Sequence, residues 1–391
     1  MPWQEVSTMS LRTEFVELAQ REECNFSKLC DSFGISRKTG YKWLNRFDEF
    51  GAAGLLDKSR RPHSSPFKSP ESVEAAIEDL RKAHPAWGGR KLKSRLEKLG
   101  HQDIPAASTI TGILHRKKLI NPDDSTKHKA FIRFEHPHPN DLWQMDFKGH
   151  FAFRNGRCHP LTVIDDHSRF NVLLKACTNE RTDTVHDALI SVFRRYGLPA
   201  RMTMDNGSPW GNYAFNDLTP LTAWLIRLGI GVSHSRPYHP QTQGKDERFH
   251  RTLLAEAING HQFDDLDHCQ RQFDRFRAIY NMERPHESLG MNTPIDRYQT
   301  SQRLYPETLP EIEYGPDDHV RKVQGKGEIH FKGKEFRVSK ALKGYPVALR
   351  HTNIDGKFLV YFCHQKLSEI ELSDSKTKKK LLPISPNVCN P

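Results

Sequence analysis

The amino-acid sequence predicts a multidomain protein with two helical domains at the N-terminus, a central α/β core and a small β barrel near the C-terminus. The chain has 391 residues, which is more than a single hydrophobic core usually organises. Hydrophobic residues make up 36% of the chain, enough to build cores and to exclude wholesale disorder. The hydrophobic period changes from helical to alternating near residue 142. We therefore expect several domains of different type.

Charge is distributed unevenly along the chain. Residues 1–135 contain 24 basic and 18 acidic residues, residues 136–300 contain 19 of each, and residues 301–391 contain 16 and 11. A neutral centre between two basic ends indicates that the ends hold an acidic polymer while the centre has another task.

Two protein classes are excluded by composition. No apolar run is long enough to span a bilayer, and the N-terminus lacks the basic and apolar regions of a signal peptide. The seven cysteines are odd in number and contain no C-x-x-C pair, unlike a disulfide framework. We expect a cytoplasmic protein with no membrane partner.

Residues 1–50 predict a helix-turn-helix DNA-binding domain. A first helix is indicated by an apolar stripe, Ser27 and Ser36 are expected to cap the second and third helices, and Gly34 permits the turn between them. Tyr41, Leu44 and Phe47 are expected to face inward. A small helical bundle with a solvated basic face fits equally well. If DNA is bound, the residues expected to face it are Arg37, Lys38, Thr39, Lys42 and Arg46.

A second helix-turn-helix domain is predicted over residues 71–135, after a linker at 51–70 rich in Gly, Ser, Pro and basic residues. Its helices carry apolar stripes ending at Leu80, Leu99 and Leu114, and Ser108 is expected to cap the third. We favour DNA binding over plain solvated helices because the arrangement recurs together with a charge excess. The outward basic residues are Arg90, Lys91, Lys93, Arg95, Arg116, Lys117 and Lys118.

Residues 136–300 predict a mixed α/β core. The order is a β hairpin, a strand, a helix, a strand, a helix, a strand and a helix, which is typical of a ribonuclease H-like sheet. Three acids fall at element ends: Asp146 in the first strand, Asp205 after a later strand, and Glu247 near the start of a helix, with 41 residues between Asp205 and Glu247. Carboxylates at such positions can share two Mg²⁺ or Mn²⁺ ions and act on phosphodiesters.

Neighbouring residues leave alternatives open. Asp246 competes with Glu247, since adjacent helical residues lie about 100° apart. Asp165 and Asp166 are either an accessory ligand or the caps of a hairpin, and we prefer the turn. The residues around the triad either hold phosphates or form a solvated loop and helix start, with Lys245 and Arg248 the strongest candidates for phosphate contact. These residues are Asn206, His239, Gln243, Lys245, Arg248 and Arg251.

Three segments, WQMDF, TMDNGSPW and PYHPQTQGKDERFHRTL, resemble the integrase core of the DDE transposases, the group that contains retroviral integrases and bacterial insertion-sequence transposases. HPAWGGRKL and STITGILHRKKLI extend the resemblance to the bacterial branch. The resemblance implies that Asp146, Asp205 and Glu247 are the metal-binding catalytic triad. It implies a nucleoid-associated transposase that binds terminal inverted repeats, cleaves to expose 3′-OH ends and joins them to target DNA, as a homodimer or higher homo-oligomer.

Two rival functions are considered. A catalytically inactive, sequence-specific DNA-binding protein is disfavoured by the intact triad. A metal-dependent nuclease without strand transfer is disfavoured by two helical DNA readers, because degradation gains little from sequence-specific binding.

Residues 319–372 alternate in hydrophobicity over short segments separated by turns, which predicts the small β barrel. Its basic excess fits non-specific DNA contact, and a dimerisation domain fits equally well. Residues 373–391 are expected to form a flexible tail.

Overall fold

The computed structural model describes residues 8–58, 68–120, 135–211, 218–234 and 244–372. The chain divides into two compact units, Met1–Lys68 and Ser69–Pro391. The expected tail at 373–391, the middle of the expected linker, and two candidate site residues, His239 and Gln243, lie outside the described residues.

The first unit is a bundle of three helices, α1 (Thr8–Ala19), α2 (Phe26–Ser32) and α3 (Arg37–Phe50). Gly34 makes the turn before α3 with a φ of +63°, and the Ser36 side chain accepts a hydrogen bond from the Thr39 amide, both as predicted. The cap of α2 is Asn25, which accepts from the Lys28 amide. The prediction of Ser27 is wrong because α2 begins one residue before it.

The buried face of α3 differs from the predicted one. Gly40 and Trp43 are buried, whereas Tyr41 is 53% exposed and stacks on the outer side against Phe26. A Cβ atom at Gly40 would lie 2.7 Å from the Cys30 Sγ, so α3 packs closest at its glycine. The inward assignment of Tyr41 is therefore wrong, and Trp43 takes its place.

The second unit begins with three helices, α4 (Glu71–Ala83), α5 (Gly89–Lys98) and α6 (Ala107–Arg116). No side chain caps α6, which follows Ala106, and Leu99 is 53% exposed; the predictions for Ser108 and Leu99 are wrong. Trp87, which the stripes did not include, is fully buried. The buried core of these helices consists of Ile77, Trp87, Leu92, Leu96, Ile110, Ile113 and Leu114.

A mixed sheet forms the central core, as predicted. Its strands are β1 (Leu142–Phe147), β2 (Phe151–Phe153), β3 (Gly156–Asp165), β4 (Asn171–Cys177), β5 (Arg201–Met204) and β6 (Gly231–His234). Strand β3 pairs antiparallel with β1, β2 and β4, and parallel pairs join β1 to β5 and β5 to β6.

Helices cover both faces of this sheet. They are α7 (Thr182–Tyr196), α8 (Pro220–Arg227), α9 (Gly244–Leu253) and α10 (Leu266–Met282). On one face, Trp143 of β1 shares an apolar cluster with Phe193 of α7. On the other, Ile164 of β3 shares a cluster with Phe249 of α9. Since side chains alternate along a strand, this layering decides which side of the sheet each polar residue faces.

The C-terminal region contains β7 (His319–Lys322), β8 (Glu328–Phe331), β9 (Lys334–Arg337), β10 (Pro346–His351), β11 (Lys357–Phe362) and β12 (Gln365–Glu371). Its sheets are open: β12-β11-β10-β7 form one and β8-β9 form a separate hairpin. The predicted closed barrel is therefore wrong. Hydrophobic alternation identifies strands but not their partners, and here Phe331 of the hairpin packs against Phe358 of the larger sheet instead of closing an edge.

Candidate active site

Two of the three predicted metal ligands come together on neighbouring strands. Gln144 of β1 lies opposite Thr203 of β5 in a parallel pair, so Asp146 and Asp205, each two residues further on, end up side by side. The Gly207 amide donates to Asp205 Oδ1 at 2.9 Å, which closes the Asp-Asn-Gly turn that the sequence predicts. The carboxyl ends of two parallel strands thus place two carboxylates at one edge of the core.

Negative charge accumulates at this edge. Burial raises the pKa of Asp146 to about 7, and the charges of Asp205, Glu180 and Glu247 raise it as well. Burial also raises the pKa of Asp205, with a contribution from Glu180. The charge of Asp205 therefore makes ionisation of Asp146 harder. A divalent cation would relieve this repulsion, and carboxylate oxygens are the ligands that Mg²⁺ prefers.

The start of α9 brings Asp246, rather than Glu247, to the buried side. Asp246 is 0% exposed, and neither of its carboxyl oxygens has a hydrogen-bond partner within the described part of the chain. Burial and the charge of Asp146 raise its pKa well above the ordinary range. Glu247 lies on the exposed side of the helix. Asp205 and Asp246 thus both lie near Asp146. Among the described residues, however, no three His, Cys, Asp or Glu side chains are arranged to hold a metal ion.

A buried ion pair fixes the first turn of α9. Lys245 Nζ lies 2.5 Å from Asp166 Oδ1 and donates to the Asp166 carbonyl at 3.2 Å. Asp166 is 2% exposed and also accepts from Gln144 Nε2 at 2.8 Å. Burial lowers the pKa of Lys245 to about 8. The Lys245 charge, which was expected to hold phosphate, is compensated inside the fold.

Asp165 has the turn role that the sequence favours. Its Oδ2 accepts from the Ser168 amide at 2.8 Å and from the Ser168 hydroxyl at 2.6 Å. Its Oδ1 accepts from the Asn140 amide at 2.7 Å. Both oxygens are therefore satisfied by the hairpin, so Asp165 is a structural residue.

Several site residues were missed by sequence reasoning. His250 Nδ1 lies 4.0 Å from Asp146 Oδ2, its Nε2 contacts the Thr162 hydroxyl at 2.9 Å, and burial lowers its pKa to about 4. Its position one helical turn after Asp246 was a usable signal. Glu180, which hydrogen-bonds His159 at 2.8 Å, lies in the loop after β4 and carried no sequence signal.

The candidate DNA contacts of the first unit stand free of ion pairs among the described residues. Arg37, Lys38 and Lys42 are exposed. Lys42 Nζ and the Arg46 guanidinium lie 4.5 and 5.2 Å from the centre of the Trp43 ring. These four cations share α3, the helix expected to enter the major groove.

The basic residues of the second helical trio, α4 to α6, are mostly paired. Arg116 lies 2.6 Å from Glu74, and Lys117 lies 2.7 Å from Glu78. Lys93 lies 3.6 Å from Glu97. Other cations reach the core beyond α10: Arg95 to Glu283 at 2.6 Å, Lys98 to Asp296 at 2.8 Å and Arg90 to Glu287 at 3.5 Å. Arg90 and Arg95, which were expected to bind DNA, therefore help to dock the second trio on the catalytic core, together with Lys98.

Comparison with known proteins agrees with this architecture. An integrase core domain matches residues 136–240, and a second integrase core model matches residues 228–294. The C-terminal domain of the IS481 transposase family matches residues 318–378. The chain is a transposase with an integrase core. A helix-turn-helix domain matches residues 11–63 and a homeodomain-like domain matches residues 39–114, so the transposase binds DNA through its helical domains.

Relatives of the transposase include proteins of bacterial insertion sequences. The transposase is 22% identical to a putative transposase for insertion sequence element IS5376 of Geobacillus stearothermophilus, over 93% of this chain and 88% of the relative. It is 25% identical to an uncharacterised 39.2 kDa protein of insertion element IS476 of Xanthomonas euvesicatoria, over 64% of this chain and 72% of the relative.

Solved structures similar to the transposase include the HTLV-2 integrase catalytic core domain in complex with magnesium, with a TM-score of 0.31, 15% identity, and coverage of 42% of this chain and 99% of that one. A simian T-cell lymphotropic virus intasome matches with a TM-score of 0.36, 16% identity, and coverage of 72% and 91%. Among the described helices of the transposase, none is both long and apolar enough to cross a membrane.

Proposed function

We propose that this transposase binds the terminal inverted repeats of its own element, cleaves to expose 3′-OH ends and joins those ends to target DNA. The observation that carries the proposal is the pair Asp146 and Asp205 at the ends of adjacent parallel strands, where burial raises both pKa values and the charge of Asp205 raises that of Asp146 further. Such a pair favours the binding of divalent cations.

Asp146, Asp205 and Glu247 would hold two Mg²⁺ or Mn²⁺ ions. Bound there, the ions would supply Lewis-acid stabilisation of the attacking and leaving oxygens of a phosphodiester. Glu247 is assigned as the third ligand by the G-K-D-E-R motif and because its charge acts on Asp146 from the exposed side of α9, where a phosphate has access. Asp246 is enclosed, and burial disfavours its ionised form.

The other residues of this chain have positioning and binding roles in the proposal. The Lys245–Asp166 pair sets the first turn of α9 against the β3–β4 turn, and Thr162 and His250 fix the side of Asp146 that faces α9. The free cations Arg37, Lys38, Lys42 and Arg46 of α3 would contact the repeat, and Arg248 and Arg251 would contact phosphates near the site. Two element ends must be joined to one target, so we propose a homodimer or higher oligomer on DNA.

The test uses the full-length protein with duplexes that carry the sequences flanking its gene. In Mg²⁺ we expect a product cleaved at the element end and a second product in which that end is joined to another duplex. Cleavage of flanking and arbitrary duplexes alike, without joined product, would support the nuclease rival instead.

The third ligand has a test of its own. Glu247→Gln should abolish cleavage and joining while end binding is kept, and Asp246→Asn should retain activity because Asp246 is enclosed and is not assigned as a ligand. The reverse result, with Asp246→Asn inactive and Glu247→Gln active, would move the third ligand to Asp246.

A further inference from the structure

One group of cations lies at the seam between the second helical trio and the catalytic core, near Glu256 and Glu287, which are each paired with another arginine. Lys91 lies on α5, and Arg248 and Arg251 lie on α9. Among the described residues, none of the three forms an ion pair or a side-chain hydrogen bond. Their neighbours at the seam do: Arg90 reaches Glu287, and Arg284 reaches Glu256 at 2.9 Å.

The seam itself is well fixed. Trp87 is fully buried and its Nε1 donates to Glu256 Oε2 at 3.4 Å. Arg95 binds Glu283 at 2.6 Å, and Ile279 of α10 packs against the apolar core of the trio. Because these contacts hold α5 against the core, the position of Lys91 relative to α9 is fixed by the fold.

The free cations at this seam repel one another. Burial lowers the pKa of Lys91 to about 8, and the positive charges of Arg284 and Arg248 lower it as well, while the charges of Glu256 and Glu287 raise it. Next to them, His286 is 8% exposed, and its Nε2 has no hydrogen-bond partner within the described ranges. An anion that enters the seam would be attracted by the cations that are left unpaired.

We propose that Lys91 of α5 and Arg248 of α9 form one composite site for a single backbone phosphate of the bound DNA, with Arg251 at its rim. The inference rests on the proposed function, since it takes the anion to be the DNA that the active site acts on. Arg248 follows the proposed ligand Glu247 directly, so the phosphate lies on the strand that passes the carboxylates. The second trio would then contact the same DNA strand as α9. This role comes in addition to its docking on the core.

Salt dependence of binding distinguishes a shared phosphate from two separate ones. Each phosphate that a protein neutralises contributes about 0.9 to the slope of log affinity against log salt concentration. The measurement is anisotropy of a fluorescent duplex of arbitrary sequence with the full-length protein over a range of KCl concentrations. Lys91→Gln and Arg248→Gln should each lower the slope by up to about 0.9, and the double variant should lower it by no more than about 0.9 in total.

The controls separate charge from folding. Lys91→Arg should keep the wild-type slope, and so should Lys82→Gln, which removes an exposed lysine of α4 paired with Glu78. The thermal stability of the free Lys91→Gln protein should equal or exceed that of wild type, since a repelled cation is removed.

Two results would overturn the composite site: slopes of both single variants equal to wild type, or a double variant that loses about 1.8, as two independent contacts would. If the wild-type protein itself shows no salt-dependent binding to the duplex, the proposed function fails and not this assignment alone.

Discussion

The two helical trios at the N-terminus look alike in sequence and differ in how their charges are used. In the first, Arg37, Lys38 and Lys42 project from α3 without an ion pair among the described residues. In the second, Arg116 and Lys117 are paired within the trio and Arg95 is paired with the core. Charges compensated inside the chain stabilise the fold, whereas uncompensated charges are available to an outside partner. The same distinction separates Lys245, which is paired, from Arg248, which is not.

The largest expected effect concerns the buried ion pair of the core against which Trp87 of the second trio docks. Arg284 and Glu256 have only 7% and 10% of their side chains exposed, and removing one partner of a buried pair costs about 3–5 kcal/mol. Arg284→Met should lower the free energy of unfolding by that amount in chemical denaturation. Lys82→Gln, which breaks the exposed pair with Glu78, should cost less than about 1 kcal/mol. Equal losses from the two variants would mean that the buried Arg284–Glu256 pair contributes no more to stability than an exposed pair.

The carboxylate cluster extends the comparison to negative charge. The Asp146 carboxyl has an ordinary pKa of 3.8 and one of about 7 in the folded protein, so between these values the folded state binds a proton that the unfolded state has lost. The free energy of unfolding of the metal-free protein should therefore fall as pH rises from about 4 to 7, by up to about 4 kcal/mol.

Asp146→Asn should remove this pH dependence and be more stable than wild type at pH 7.5. The control is Asp79→Asn, which changes an exposed carboxylate on α4 and should keep the wild-type slope. If the free energy of unfolding depended on pH in the same way for wild type and Asp146→Asn, the raised pKa of Asp146 would be contradicted.

The smallest expected effect compares the trios directly. Replacing Arg37 and Lys42 by Gln should weaken duplex binding on the order of tenfold near physiological salt and leave thermal stability unchanged. Replacing Arg116 and Lys117 by Gln should lower thermal stability and leave duplex binding unchanged, since Glu74 is buried and would lose its partner. If the second double variant loses DNA affinity and keeps its stability, the two trios have the same role.

The sequence was sufficient for the helices, the order of the core strands and the pairing of Asp146 with Asp205, because these depend on hydrophobic period and on where strands end. It was insufficient where the outcome depends on contacts between distant segments. The barrel was expected from alternation, but alternation does not say which edges pair. Tyr41 was placed inward by spacing, but Gly40 sets the closest approach of α3.

Hydrophobic periodicity also cannot predict ion pairs between residues that are far apart in the sequence. Nothing near Lys245 in the sequence indicates Asp166, which lies 79 residues earlier. Arg95 and Glu283 are 188 residues apart. A list of basic residues on outer helical faces therefore mixes DNA contacts with docking contacts, and the structure is needed to separate them.

The central claim is that one carboxylate site performs both cleavage and joining. The most direct measurement assays wild type and Asp205→Asn side by side, with an intact element-end duplex for cleavage and a pre-cleaved duplex for joining, in Mg²⁺. We expect Asp205→Asn to bind the end as tightly as wild type and to lose both reactions together. If Asp205→Asn lost cleavage but kept joining, or lost joining but kept cleavage, a single shared site would be contradicted.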